Sequence, residues 1–224
     1  MNDNAAKDDI HTVRKRVMVY VDGFNLYFGV LKARPGIKWL DIQSFVEAWR
    51  PNEDLVGVRY FTALVDPERK VSESRDRQKR YIKALESKDK VKVIYGKYQK
   101  REVNCRARCR ERYEIPEEKK TDVGIAVHML SDVIDDLMDG IILISGDSDL
   151  EPAVEWIRNR HKGIKITVYI PQDPGDSHPR RNDTYRNMGV EAKPLPITEL
   201  SRFQFPRIVD LGSGRIVERP PDWA

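Results

Sequence analysis

Short apolar runs alternate along the chain with longer stretches in which apolar residues return every three or four positions. The runs predict strands at 16–22, 56–65, 91–98, 140–145 and 164–170. "VMVYV", "IILIS" and "ITVYI" are continuous rather than alternating, as expected of strands buried on both faces. The intervening stretches predict helices at 24–32 with 41–50, then 73–87, 121–138 and 150–160. In the fourth of these, Val123, Ala126, Val127, Leu130, Val133, Ile134 and Leu137 form one broad apolar stripe, which predicts a core-facing helix. Strands and helices in alternation specify α/β architecture, a mostly parallel sheet covered by helices on both faces. Residues 1–13 are polar and predict a disordered segment before a domain at 14–200. Residues 201–224 form an extension in which two short apolar runs around "LGSG" predict a hairpin, with Trp223 placed to dock it onto the domain.

Composition narrows the picture. A chain of 224 residues with 40% hydrophobic content builds one sizeable core. A net charge of +4 and a pI near 8.9 permit a polyanionic partner without requiring one. Two cysteines, Cys105 and Cys109, and the lack of a signal-like segment or an 18-residue apolar run point to a reducing, cytoplasmic setting away from membranes. The basic charge is concentrated. "KYQKREVNCRARCRER" carries Lys97, Lys100, Arg101, Arg106, Arg108, Arg110 and Arg112, with Tyr98 and Tyr113 nearby, and "HPRRNDTYR" carries Arg180, Arg181, Arg186 and Tyr185. Bases with interspersed aromatics suit a nucleic-acid backbone and unpaired bases, although a solvated charged loop has the same composition. Lys119 and Lys120 lie where they could meet a phosphate. A homo-oligomer contact is left open.

The acids carry the chemistry. Ligands of open α/β sheets gather beyond the carboxyl ends of the strands. Asp22 follows the first strand, Asp147 and Asp149 follow the strand that ends near Ser145, and Asp122 starts the striped helix. If the strands before Asp22 and Asp147 are neighbours, these acids converge on one rim. Asp22 before Gly23 also fits a turn or helix cap, and Asp122 a favourable charge at a helix N-terminus. "SDLE", residues 148–151, matches a capping box. Asp147 and Asp149 are harder to assign to structure, because two acids so close repel unless a cation or donors intervene. Hard oxygen ligands suit Mg²⁺ or Mn²⁺. His11, His128, His161 and His178 are scattered, and the Cys105–Cys109 pair has no second pair to complete a zinc cage.

"VYVDGFNLY", "EEKKTDVGIAVHML" and "ILISGDSDLEPAV" resemble, in order and interval, the three signature segments of the NYN domain family, which belongs with the PIN-like nucleases. The resemblance covers roughly residues 14–200. It implies a PIN-like fold, a Rossmann-like three-layer α/β/α sandwich with central strand order 3-2-1-4-5, and a metal-dependent ribonuclease acting on RNA. Carried over, the catalytic and metal-binding acids are Asp22, Asp122, Asp147 and Asp149, supported by Asn25, Ser145 and Ser148. Glu118 is a weaker match to a further glutamate of PIN nucleases. The implied products carry 5′-phosphate and 3′-hydroxyl ends. A non-catalytic RNA-binding module of the same fold is the alternative. "GDSD" also resembles the late acidic motif of haloacid-dehalogenase phosphatases, but that family needs an Asp two residues after the nucleophilic one, and Phe24 stands there.

Overall fold

The computed structural model describes residues 14–64, 72–104, 112–172 and 183–223. From the N-terminal end run β1 (Lys15–Asp22), α1 (Gly23–Leu26) continuing into a π-helical turn (Tyr27–Leu31), α2 (Ile42–Trp49), β2 (Glu53–Thr62), α3 (Ser72–Glu86) and β3 (Val91–Tyr95). Next come β4 (Lys97–Asn104), β5 (Arg112–Lys119), α4 (Thr121–Ile134), β6 (Gly140–Ile144), α5 (Glu151–Arg160) and β7 (Lys165–Ile170). Then follow α6 (Asp183–Asn187), β8 (Glu191–Pro194), α7 (Ile197–Leu200), β9 (Ile208–Asp210) and β10 (Ile216–Glu218). Six parallel strands form the central sheet in the order β3-β2-β1-β6-β7-β8. The predicted order is therefore present, extended by β8, whose sequence "EAKP" is too short and polar to signal a strand.

The alternation along β1 distributes the core. Val17, Val19 and Val21 face a layer built from α1, α2, α3 and the C-terminal segment, which includes Trp39, Phe45, Leu85 and Trp223. Met18 and Tyr20 face the opposite layer, formed by α4, α5 and Tyr185. Helices thus cover both faces of the sheet.

Three expectations need correction. The run at 91–98 is two strands: the Gly96 amide bonds to Thr62 O at the end of β3, and the chain then leaves the sheet, so β4 pairs antiparallel with β5. Part of the basic segment at 97–112 is thus one arm of a hairpin. Second, the stripe on the helix at 121–138 is largely the solvent face. Val123, Val127 and Ile134 are 68%, 56% and 64% exposed, Leu137 is exposed, and the buried face is Ile125, Met129 and Val133 with Asp132. Asp132 sets this rotation. Its carboxylate takes a two-pronged ion pair from Arg59 of β2 and a 2.7 Å hydrogen bond from the Tyr20 hydroxyl of β1, so the charge is buried with its partners. Third, the capping box at 148–151 does not form, because a 3₁₀ turn at Ser148–Leu150 precedes α5 and is capped by the Asp147 carboxylate, leaving Ser148 exposed.

Residues beyond 200 add to the first core layer. β9 and β10 form an antiparallel hairpin, and Val209, Val217 and Trp223 are buried. Trp39 donates its indole N–H to Pro206 O at 2.9 Å and packs edge-on against Trp223.

Candidate active site

β1 and β6 are direct neighbours, with Val21 opposite Ile144, so the next residues on each, Asp22 and Ser145, leave the sheet side by side at its carboxyl edge. The sheet order reverses at this pair, which makes the crevice beyond it the place where a doubly wound sheet accepts ligands. Gly23 is required here by space rather than by backbone conformation. A Cβ on it would lie 2.6 Å from Phe61 O and 2.8 Å from the Tyr60 ring. α1 can therefore start flush against the end of β2.

Each acid is set by its own element. Asp22 is buried; one carboxylate oxygen accepts the Asn25 amide at 2.9 Å, capping α1, and the other accepts the Ser145 hydroxyl at 3.1 Å. The Ser145 oxygen in turn accepts the Asp147 amide at 3.1 Å. Asn25 Oδ1 accepts the Gly146 amide at 3.1 Å. The turn 145–147 is thus tied to the start of α1 at two points, and the Tyr185 hydroxyl adds a third bond by donating to Asp147 O at 2.8 Å. Asp122 lies in the first turn of α4, two residues after Lys120, which adopts the left-handed backbone (φ 78°) that turns the chain from β5 into the helix.

Together these elements bring one carboxylate oxygen each of Asp22, Asp122 and Asp147 within 4.8 Å of one another. Asp149 does not join that group. It is exposed, and its amide donates to Asp147 Oδ1 at 2.9 Å. Burial holds Asp22 above the usual carboxylate range, with the charge of Asp147 adding to the effect against the hydrogen bonds from Asn25 and Ser145. Partial burial, together with the charges of Asp147, Asp22 and Asp149, pushes Asp122 up to about 6. Three convergent hard oxygen donors that raise one another's affinity for a positive charge fit a divalent cation of the Mg²⁺ or Mn²⁺ type.

The basic residues are distributed less tightly. Lys97, Arg112 and Lys120 are exposed, and the hairpin register sets Lys97 opposite Lys119 at its base, next to α4. Lys100 and Arg101 are on β4, and Glu118 is on β5 opposite Tyr98. Cys105, Arg106, Arg108, Cys109, Arg110, Arg180 and Arg181 lie outside the described residues. Tyr185 is a core residue and is not available to stack on a base. Its hold on the Asp147 carbonyl had no signal in the sequence, because the two are 38 positions apart.

The profile of the family described as NYN domain matches residues 16–187. Among curated proteins, the 6-hydroxy-3-succinoylpyridine 3-monooxygenase HspA of Pseudomonas putida (strain DSM 28022 / S16) is 26% identical over 227 residues, spanning 87% of this chain and 71% of that protein. Among solved structures, a protein of unknown function from Vibrio parahaemolyticus RIMD 2210633 aligns with a TM-score of 0.49 and 18% identity, over 86% of this chain and 97% of that one. Among the described residues, no helix is long and apolar enough to cross a membrane.

Proposed function

The chain belongs to the NYN domain family, and from that premise we propose that it is a Mg²⁺- or Mn²⁺-dependent ribonuclease that hydrolyses RNA phosphodiester bonds. The observation that carries this reading is the convergence of Asp22, Asp122 and Asp147 at the carboxyl edge of β1 and β6. These three would hold the cation, and Asp149, whose charge already acts on Asp122, would reach it through water. A divalent ion in such a site neutralises the phosphate and lowers the pKa of a bound water. The chain's own residues set the geometry. Ser145 and Asn25 orient the Asp22 carboxylate and the 145–147 turn before substrate arrives. Lys120 at the start of α4, with Lys97 and Lys119 paired at the base of the adjoining hairpin, would draw the polyanion toward the acids.

The test is cleavage of RNA by the purified protein with Mn²⁺ or Mg²⁺, with EDTA, DNA and a phosphomonoester in parallel. Asp147→Asn is expected to lower cleavage at least about 100-fold, more than loss of an outer hydrogen bond to a metal ligand costs, with the fold intact by circular dichroism. Equal rates for wild type, mutant and EDTA-treated protein would remove the acids from the chemistry. Binding without cutting under any divalent ion would instead make the chain an RNA-binding module. The Pseudomonas relative supports a second reading, since its similarity spans 87% of this chain and its name is that of a monooxygenase. Consumption of 6-hydroxy-3-succinoylpyridine with dioxygen and a reductant, in the absence of RNA cleavage, would favour it.

A further inference from the structure

Beside the acids, the two turns that follow Asp22 carry an aromatic ladder. Phe24 and Phe28 stack with ring centroids 6.1 Å apart and planes 17° from parallel, and Tyr27 meets Phe28 edge-on at 5.2 Å. Lys32 Nζ lies 5.1 Å from the Phe28 centroid. Phe28 is 58% exposed. A ring so exposed contributes little to the core, yet this one is held in orientation by two aromatic neighbours and a cation. Its location follows from helix geometry. Residues three or four apart are neighbours on a helix surface, and Phe28 is four positions beyond Phe24 and three beyond Asn25, whose side chain accepts the Gly146 amide at the acidic rim. The π-helical turn Tyr27–Leu31 keeps this segment against the end of β7, where a Cβ on Gly29 would lie 2.3 Å from Pro171 O. The ladder is therefore fixed to the same edge of the sheet as the three carboxylates.

We propose that Phe28, backed by Phe24 and Lys32, is a stacking subsite for an unpaired nucleobase of an RNA strand whose phosphate lies at Asp22, Asp122 and Asp147. The inference rests on the ribonuclease reading and names its substrate as single-stranded. Every base presents a π-face to an aromatic ring, and the positive charge of Lys32 complements the phosphate that accompanies the base. Lys32 is exposed and now occupies the space over the Phe28 ring; displaced by a base, its flexible stem lets the ammonium reach the backbone. A base inside a duplex has no free face to offer, so the subsite selects against paired RNA.

The test uses the full chain and a cleavage-resistant phosphorothioate single strand carrying 2-aminopurine, whose fluorescence is quenched on stacking, with the matching duplex as control. Wild type is expected to quench the probe and to prefer the single strand. Phe28→Ala should weaken binding about 5- to 100-fold and abolish the quench, with Phe28→Trp restoring both. Lys32→Gln should reduce the slope of log affinity against log salt by about 0.7. Since Phe28 is exposed, the thermal midpoint should be the same in all variants. Unchanged affinity and quench in Phe28→Ala, or equal loss in Phe28→Ala and Phe28→Trp, overturns the subsite while wild-type cleavage still stands. A wild type that neither binds nor cuts RNA overturns the ribonuclease reading, and the subsite with it.

Discussion

Both oxygens of Asp22 already have donors, the Asn25 amide and the Ser145 hydroxyl, so the carboxylate is oriented without a cation. Capping and metal binding are compatible at this residue: the carboxylate that caps α1 also keeps one oxygen within 4.8 Å of the oxygens of Asp122 and Asp147. Ser145 is the keystone, because one hydroxyl serves Asp22 and the Asp147 amide together. Ser145→Ala is expected to cost about 1–3 kcal/mol of stability, from the buried acceptor and donor left unmet, and to lower activity about 10- to 100-fold. Urea denaturation and cleavage rates check the two effects separately. Asp122 makes the site pH-dependent. Its folded pKa of about 6 lies above its ordinary value, so between the two the folded state binds more protons than the unfolded one. Without metal, the stability from this group is fully present below the ordinary carboxylate range and is lost as pH rises through about 6. A divalent ion competes with that proton. The rise in melting temperature on adding Mg²⁺ or Mn²⁺ should therefore be larger at pH 7.5 than at pH 5, and an increment independent of pH would separate Asp122 from the metal.

At the scale of elements, α4 is apolar on two sides, and periodicity has no means of choosing between them. Val123, Val127 and Ile134 keep one register, Ile125, Met129 and Val133 another. The choice is made by the acids at its two ends. Asp122 must reach the rim, and Asp132 must reach Arg59 and Tyr20, and a single rotation of the helix satisfies both. Ile125→Ala is expected to cost about 2–5 kcal/mol, whereas Val127→Lys should stay within about 0.5 kcal/mol of wild type. Chemical denaturation of the two variants distinguishes the faces, and the reverse order would mean that the helix is rotated. The β4–β5 hairpin shows the same limit from the other side. Its strands are too charged to signal a sheet, and they form one because they pair with each other in a sheet of their own.

Across the whole molecule, the C-terminal segment is as much part of the first core layer as the helices are. Trp39, Tyr81 and Trp223 form a cluster with centroids 6.0–6.2 Å apart, Trp223 meeting the other two edge to face, and Arg77 pairs with Asp222. Trp223→Ala is expected to lose about 3–5 kcal/mol, measured as a shift in the denaturation midpoint, and a neutral result would show the hairpin to be an appendage. Five of the six sheet strands, the α/β class and the acids at Asp22, Asp122 and Asp147 were legible from the sequence alone. Short continuous apolar runs bounded by polar stretches fit strands buried on both faces, and a carboxylate buried at the end of one must be partnered, capped or functional. Those are local constraints. The rotation of α4 and the close approach at Gly23 depended on contacts between residues far apart in the chain. Such contacts exist only once the sheet has brought β1 beside β6, and that is why the sequence determined which acids are present while only the tertiary structure decided which of them share a site.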